Sequence, residues 1–174
     1  YAYDLLLIAT GGTAFVPPIK EVEKRGVFTL RSMKDAIDMK EFSTGVTQAI
    51  LVGGGLVGLE TGGALLRRGV KVAVIEHNPR ILPRQMDPEG SQILQGRMEE
   101  MGFSFSLNGQ SDEILGKEKV EGLRLKDGRI IKGQMVIISA GVRPNIQLAK
   151  TMGLETKNGI LVNDRLETKR EGIF

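Results

Sequence analysis

Residues 48–78 restrict the fold of this chain more than any other stretch. Ala49-Ile50-Leu51-Val52 is a short apolar run suited to a buried parallel strand. Gly53-Gly54-Gly55-Leu56-Val57-Gly58 follows at once, and residues 56–68 have helical spacing. Val70-Lys71-Val72-Ala73-Val74-Ile75 is a second strand, ending on an acid, Glu76. Strand, G-x-G-x-x-G, helix, strand and an acid about 20 residues on form the dinucleotide-binding fingerprint in its required setting.

Each part of that unit has a physical task. Gly53 lets the chain turn sharply off the strand, Gly55 leaves room for a pyrophosphate at the backbone, and Gly58 lets the helix pack close. Gly54 lies between them in the same turn. The amides of Leu56 and Val57 fall at the helix N-terminus, where orphan N–H groups and the positive dipole end favour an anion. Glu76 is expected to accept hydrogen bonds from the adenosine ribose hydroxyls and to repel a 2′-phosphate, which favours NAD over NADP. Arg80 and Arg84, close behind, are cations that could offset it. A glycine turn without a ligand is the plain alternative, and the agreement of both strands, the helix and the acid speaks against it. A P-loop is excluded because no Gly-Lys-Ser/Thr follows the glycines. The only tyrosines, Tyr1 and Tyr3, begin no Tyr-x-x-x-Lys, which disfavours a Tyr/Lys dehydrogenase.

Composition narrows the class further. The 174 residues suffice for one domain with a real core, or for a domain plus a fragment. Hydrophobic residues make up 41% and charged ones 26%, which fits a water-soluble globular chain. No apolar run approaches the ~20 residues of a membrane span, and the N-terminus lacks the basic region of a signal peptide. The expected location is the cytoplasm. Cysteine is absent, so this stretch carries no disulfide or dithiol chemistry. Net charge is only +3, and the pairs Arg67-Arg68 and Lys169-Arg170 are interleaved with acids; no nucleic-acid partner is expected. A chain that begins without Met is read as a piece of a larger protein.

Along the chain, residues 3–12 read as an apolar strand, covered on both faces, ending Ala9-Thr10-Gly11-Gly12. Pro17-Pro18 opens a linker. Residues 27–30 form a short strand, and Ser32 caps a helix through Met33, Ala36, Ile37 and Met39, with Asp35 at the capping-box position. After Glu76, two prolines make a rigid loop containing the only histidine, His77; it is read as adenosine-proximal or simply exposed, since a metal site would need more ligands. Asp87-Pro88 starts the next helix, whose apolar stripe is expected to be Ile93, Leu94, Met98 and Met101. Gly102 ends it and residues 103–107 form a strand. Residues 111–132 read as an antiparallel three-stranded meander with an Asp127-Gly128 turn. Met135-Val136-Ile137-Ile138 is a buried strand ending Ser139-Ala140-Gly141, a pattern shared with residues 5–11. A short helix over 146–152 with Asn145 as a cap, a strand at 159–162 and the start of another at 172–174 complete the chain. The fold class expected is α/β: a Rossmann-like parallel sheet with helices on both faces and an antiparallel three-stranded meander, flanked by further strands.

Four blocks carry a resemblance. They are Tyr3-Asp4-Leu5-Leu6-Leu7-Ile8-Ala9-Thr10-Gly11; Val52-Gly53-Gly54-Gly55-Leu56-Val57-Gly58-Leu59-Glu60; Ser139-Ala140-Gly141-Val142-Arg143-Pro144-Asn145; and Gly159-Ile160-Leu161-Val162 through Thr168 to Gly172-Ile173-Phe174. In order and spacing the chain resembles the FAD-dependent pyridine nucleotide–disulfide oxidoreductase superfamily, in the branch of NADH oxidases, CoA-disulfide reductases, rubredoxin reductases and the NADH-binding part of nitrite reductases. The resemblance implies an NAD(H)-binding domain, residues 27–143, inserted in an FAD domain, of which residues 1–26 and 144–174 would be parts. It implies NADH as ligand, FAD as cofactor of the full-length protein and the FAD domain of the same chain as partner; the lack of a long apolar run leads to the expectation of no membrane partner, and a homodimer is an assembly that the sequence leaves open. The family's N-terminal FAD glycine motif, its Ala-x-Gly-Asp flavin-phosphate block and a redox cysteine do not occur within these residues.

The implied function is to position nicotinamide for hydride transfer to FAD, with this stretch inactive alone and supplying no catalytic acid, base or nucleophile. Glu60 matches the family acid near the nicotinamide, though an ordinary helix acid is its plain alternative. Ala140, Gly141 and Val142 match the loop that closes on the nicotinamide–ribose side, and Gly141 could equally be a strand-end turn. With Thr10 and Gly11 on the FAD side, and His77 and Arg84 near the adenosine, these join Gly53–Gly58 and Glu76 as the expected cofactor-binding set. A standalone NAD(H)-sensing module and a cofactor-free structural domain are the competing functions.

Overall fold

The computed structural model describes residues 2–174. Along the chain the elements are β1 (Gly12–Ala14), β2 (Val27–Thr29), α1 (Met33–Phe42), β3 (Gln48–Val52), α2 (Leu56–Leu66), β4 (Lys71–Ile75), α3 (Pro88–Glu100), β5 (Phe103–Ser106), β6 (Ser111–Leu115), β7 (Gly122–Leu125), β8 (Ile130–Lys132), β9 (Met135–Ile138), β10 (Val142–Pro144) and α4 (Gln147–Thr151). They divide between two units. Residues up to 13 and from 142 onward form the smaller, and residues 14–141 the larger.

In the larger unit the apolar runs become one parallel sheet in the order β2-β9-β3-β4-β5. Side chains alternate across it. Ala49 and Leu51 of β3, Val72 and Val74 of β4, and Met135 and Ile137 of β9 share a cluster with Met39 of α1, Leu59 and Leu65 of α2 and Met98 of α3. Ile50, Val52, Ile75, Val136 and Ile138 face the opposite way and pack on Ile114, Val120, Leu123 and Leu125 of the β6-β7-β8 region. The expected parallel sheet and meander are thus both present. The helices α1, α2 and α3 of the larger unit, expected on both faces, pack on one. An all-parallel sheet needs both faces covered, and here the meander's apolar side covers the second. Ile19 is buried in that second cluster, so residues preceding β2 pack with the larger unit.

Local chemistry sets the helix starts. Ser32 caps α1 by accepting from the Asp35 N–H at 3.2 Å, while the Asp35 carboxylate accepts from the Ser32 N–H at 2.7 Å. Asp87 caps α3 through the Gly90 N–H at 2.8 Å, with Pro88 at the first helical position. The expected α3 stripe needs correction. Ile93 and Met101 are each 63% exposed; the inward face carries Ser91, Leu94 and Met98. Positions 91, 94 and 98 are one turn apart and 93 projects from the other side, whereas Met101 lies beyond the last helical residue as the C-cap. Ser91 tolerates full burial because its hydroxyl donates to the Ile81 carbonyl at 2.8 Å.

The smaller unit departs most from expectation. Residues 3–12 do not form an extended strand: Leu6 makes a single parallel bridge to Ile173, and the assigned strand, β1, begins only at Gly12. The 172–174 segment pairs with the middle of residues 3–12, through Leu6 N–H to Gly172 O, Ile8 N–H to Phe174 O and Phe174 N–H to Leu6 O. Leu6 and Ile8 pack with Ala149, Leu154 and Ile173, while Leu5 and Leu7 are 68% and 70% exposed rather than covered. Residues 159–162 likewise give only an antiparallel bridge between Ile160 and Thr156. The first turn of α4 is capped by Ile146 without a side-chain hydrogen bond, not by Asn145; the Asn145 backbone is engaged instead by Gly11 O and by the Thr10 hydroxyl.

Candidate functional site

The glycine turn joins β3 to α2 inside the larger unit. Gly53 has φ of +111°, its N–H donates to Ile75 O at 2.8 Å, and a Cβ there would collide with the Ser139 carbonyl. Only glycine satisfies both conditions. Gly58 meets the same neighbour: a Cβ would lie 2.7 Å from Gly53 O and 3.2 Å from the Ser139 side chain. Gly55 is different. It is the N-cap of α2, no side chain caps the helix, and a Cβ on it would meet nothing within 4 Å. Helical geometry leaves the first N–H groups of α2, those of Gly55, Leu56, Val57 and Gly58, without intrahelical acceptors. Leu56 and Val57 are about half exposed. The turn therefore presents donors and the positive end of a helix dipole toward open space, which suits a phosphate group.

Glu76 ends β4 and is buried, 4% exposed. Its carboxylate is held from several directions. Oε2 accepts from the Gly54 N–H at 2.6 Å; Oε1 accepts from the Asn78 N–H at 2.8 Å and the Asn78 side-chain amide at 2.7 Å, with His77 Nδ1 3.0 Å away. A carboxylate offers about four acceptor positions, so Oε2 keeps one. Gly54 O in turn accepts from the Leu82 N–H at 3.0 Å, and Leu82 is buried with φ of +46°. The glycine turn and the loop after β4 are thereby laced together.

The predicted residues fall into three groups. Gly53, Gly54, Gly55, Leu56, Val57, Gly58 and Glu76 form one continuous set, and the loop after β9 joins it where Ser139 abuts Gly53 and Gly58. Ala140 and Gly141 follow Ser139, exposed, with Gly141 at φ of +113° and its carbonyl accepting from Phe15 N–H. His77 is exposed beside Glu76, Arg84 is exposed on the proline loop, and Glu60 is exposed on α2 beyond its first turn. The dipole explanation of Glu60 accordingly weakens, since that effect fades past the first turn. Thr10, Gly11 and Val142 belong to the smaller unit, where the Thr10 hydroxyl donates to Asn145 O at 2.6 Å and Gly11 has φ of +65°. Arg80 donates to Pro83 O at 3.1 Å and lines a cavity of about 600 Å³ against Pro88, Ser91, Gln92 and Gln95 of α3.

Two contributors escape a motif search. Asn78 reaches back to Glu76, a link no spacing rule announces. Gly62 sits one turn beyond the fingerprint, where a Cβ would press within 2.6 Å of the Phe103 ring and 2.8 Å of Leu51. A second small residue one helical turn after Gly58 is the signal that could have found it.

The family model described as pyridine nucleotide-disulphide oxidoreductase matches residues 1–174. The chain belongs to that family. A nitrite reductase [NAD(P)H] of Bacillus subtilis is 40% identical over 99% of this chain and 21% of its own length. An NADH oxidase of Methanocaldococcus jannaschii is 38% identical over 99% of the chain and 39% of its own. Among solved structures, an FAD-dependent pyridine nucleotide-disulphide oxidoreductase from Desulfovibrio vulgaris superposes with a TM-score of 0.85 at 30% identity, over 100% of this chain and 45% of that one. The chain thus spans about one fifth to two fifths of the curated relatives it matches here. Family members are NAD(P)H oxidoreductases that use FAD and NAD(H). Among the described residues no helix is long and apolar enough to cross a membrane.

Proposed function

We propose that the larger unit binds NADH and holds its nicotinamide for hydride transfer to an FAD carried by the complete protein. The observation that carries this reading is the bare N-cap of α2, with open space over Gly55 and uncapped N–H groups behind it, set beside the buried acid Glu76. In this reading residues 27–143 are the core of the NADH-binding domain, residues 14–26, which pack with it, go with it rather than with the FAD domain as the sequence suggests, and residues 1–13 and 144–174 belong to the FAD domain.

NADH supplies the hydride and FAD receives it; the protein's share is binding and orientation. The N–H groups of Leu56 and Val57 take the pyrophosphate. The remaining acceptor position of Glu76 Oε2 takes an adenosine ribose hydroxyl, and the negative charge there disfavours a 2′-phosphate. His77 and Arg84 border the adenosine end. Glu60 and the loop of Ala140, Gly141 and Val142 serve the nicotinamide end. Thr10 and Gly11 are assigned to the FAD side, on the strength of the resemblance of their block. No residue of this stretch acts as acid, base or nucleophile, and the stretch alone does not turn over.

Calorimetric titration of the chain with NADH, NADPH and FAD in parallel tests the proposal. The expected result is binding of NADH in preference to NADPH and none of FAD. Binding of FAD without NADH would assign the glycine turn to a flavin, and a folded chain that binds neither nucleotide would leave the turn structural.

A further inference from the structure

We infer that Asn158, in the smaller unit, is a site of self-modification, converted through its own neighbour to an aspartyl or isoaspartyl residue. The sequence holds two Asn-Gly pairs, Asn108-Gly109 and Asn158-Gly159. In such a pair the glycine nitrogen can attack the asparagine side chain, because the glycine carries no Cβ to hinder the approach. The N–Cγ bond forms, the Cγ–Nδ2 bond breaks, and the glycine N–H proton leaves with the ammonia. Solvent water then opens the cyclic imide. Opening at Cγ gives aspartate; opening at the backbone carbonyl gives isoaspartate, which adds a methylene to the main chain.

The fold treats the two pairs oppositely. Gly109 is buried, its N–H donates to Glu76 O at 2.9 Å, and a Cβ on it would lie 3.0 Å from both the Ile75 side chain and Ser106 O. The Asn108 N–H donates to Asn78 O at 3.1 Å, so this pair is pinned at both amides. The attacking nitrogen must first give up its proton, and at Gly109 that proton is committed to a carbonyl. Asn158 is exposed in the Lys157-Asn158-Gly159 turn, which is closed by the bridge between Thr156 and Ile160. Among the described residues the Gly159 N–H donates to no acceptor and the Asn158 side chain has no hydrogen-bond partner. A Cβ at Gly159 would meet only Pro144, at 4.0 Å, so the backbone has room to turn onto Cγ. The turn also supports its surroundings. Ile160 packs with Ala149, Leu154 and Ile173, and the Leu161 N–H donates to Glu155 O at 2.9 Å. A methylene inserted at Asn158 loosens that crossing.

The test incubates the folded chain at mildly alkaline pH and maps its peptides by mass spectrometry, which reads the loss of ammonia and gain of water at each asparagine. The same incubation in denaturing urea gives the unconstrained rates. The expected result is conversion at Asn158 at least about tenfold faster than at Asn108 in the folded chain, the factor that one backbone hydrogen bond supplies. In urea the two rates converge. Gly159 is outside the left-handed region, so Gly159→Ala is compatible with the turn and should slow conversion at Asn158 severalfold. Hydrogen exchange at the Leu161 N–H should quicken in the isoaspartyl form. Equal rates at the two sites in the folded chain, conversion at Asn158 only after unfolding, or an alanine variant that converts as fast as the parent overturns the inference. Unmoved exchange at Leu161 overturns the loosening of the turn.

Discussion

Three glycines in one turn do three separable jobs, and substitution separates them. Gly53 lies at φ +111° against the Ser139 carbonyl, so Gly53→Ala should cost upward of about 2 kcal/mol of stability, read by urea denaturation. Gly55 has ordinary dihedrals, φ −88° and ψ 174°, and open space beyond it. Gly55→Val should therefore melt within about 1 kcal/mol of the parent and yet lose NADH binding. Wild-type affinity in that variant would place the nucleotide elsewhere. The glycines were readable from the sequence because each task demands a residue type that nothing else supplies. Glu76 was readable as an acid at the right distance, but not as a group already gripped by Gly54 and Asn78. That grip depends on loop conformation, including the left-handed backbone of a buried leucine, Leu82, for which side-chain chemistry gives no cue.

At the scale of elements, caps were legible and faces less so. Ser32 and Asp35 satisfy each other's backbone groups at the start of α1. Ser32→Ala should cost about 1 kcal/mol. N–H groups of Ser32 and Arg31 donate to the Asp35 carboxylate and hold its pKa below the ordinary 3.8. Because the folded value is depressed, the stabilisation is present in full above the ordinary value and drains away as pH falls through the folded one. Asp35→Asn should flatten that acid-side dependence, measured as the denaturation midpoint between pH 5 and pH 2; an unchanged profile would show that the cap does not couple to folding. Faces are harder because apolar residues occur on both sides of α3. Only packing selects Met98 and Leu94 over Ile93 and Met101. Residues 3–12 and 159–162 depart from the expected strands for a related reason: an extended apolar segment becomes a strand only where a neighbouring backbone runs long enough to pair with it, and here each makes a single bridge.

For the molecule as a whole, parallel-strand order and the meander could be read from apolar runs and turn residues, but not which layer covers which face. Both helices and an antiparallel sheet offer an apolar side, and the burial pattern of the central strands is the same beneath either. The division into two units gives a calorimetric prediction. Ligand that binds only the folded larger unit stabilises it by about 2.7 kcal/mol at a hundredfold excess over the dissociation constant. NADH should raise the transition carried by that unit by several degrees while FAD leaves it in place. A shift with FAD alone would contradict the assignment.

The larger unit is a single uninterrupted run of chain, residues 14–141, whose ends are stitched to each other by the hydrogen bond from Phe15 N–H to Gly141 O. Within the smaller unit the flanking segments are likewise adjacent, through Asn145 N–H and Gly11 O. A body whose entry and exit lie side by side adds little loop-closure entropy to its host, since its folding itself brings the two ends together. The larger unit has the geometry of a cassette: an engineer can exchange or permute it at one doorway, with the host chain reading straight across.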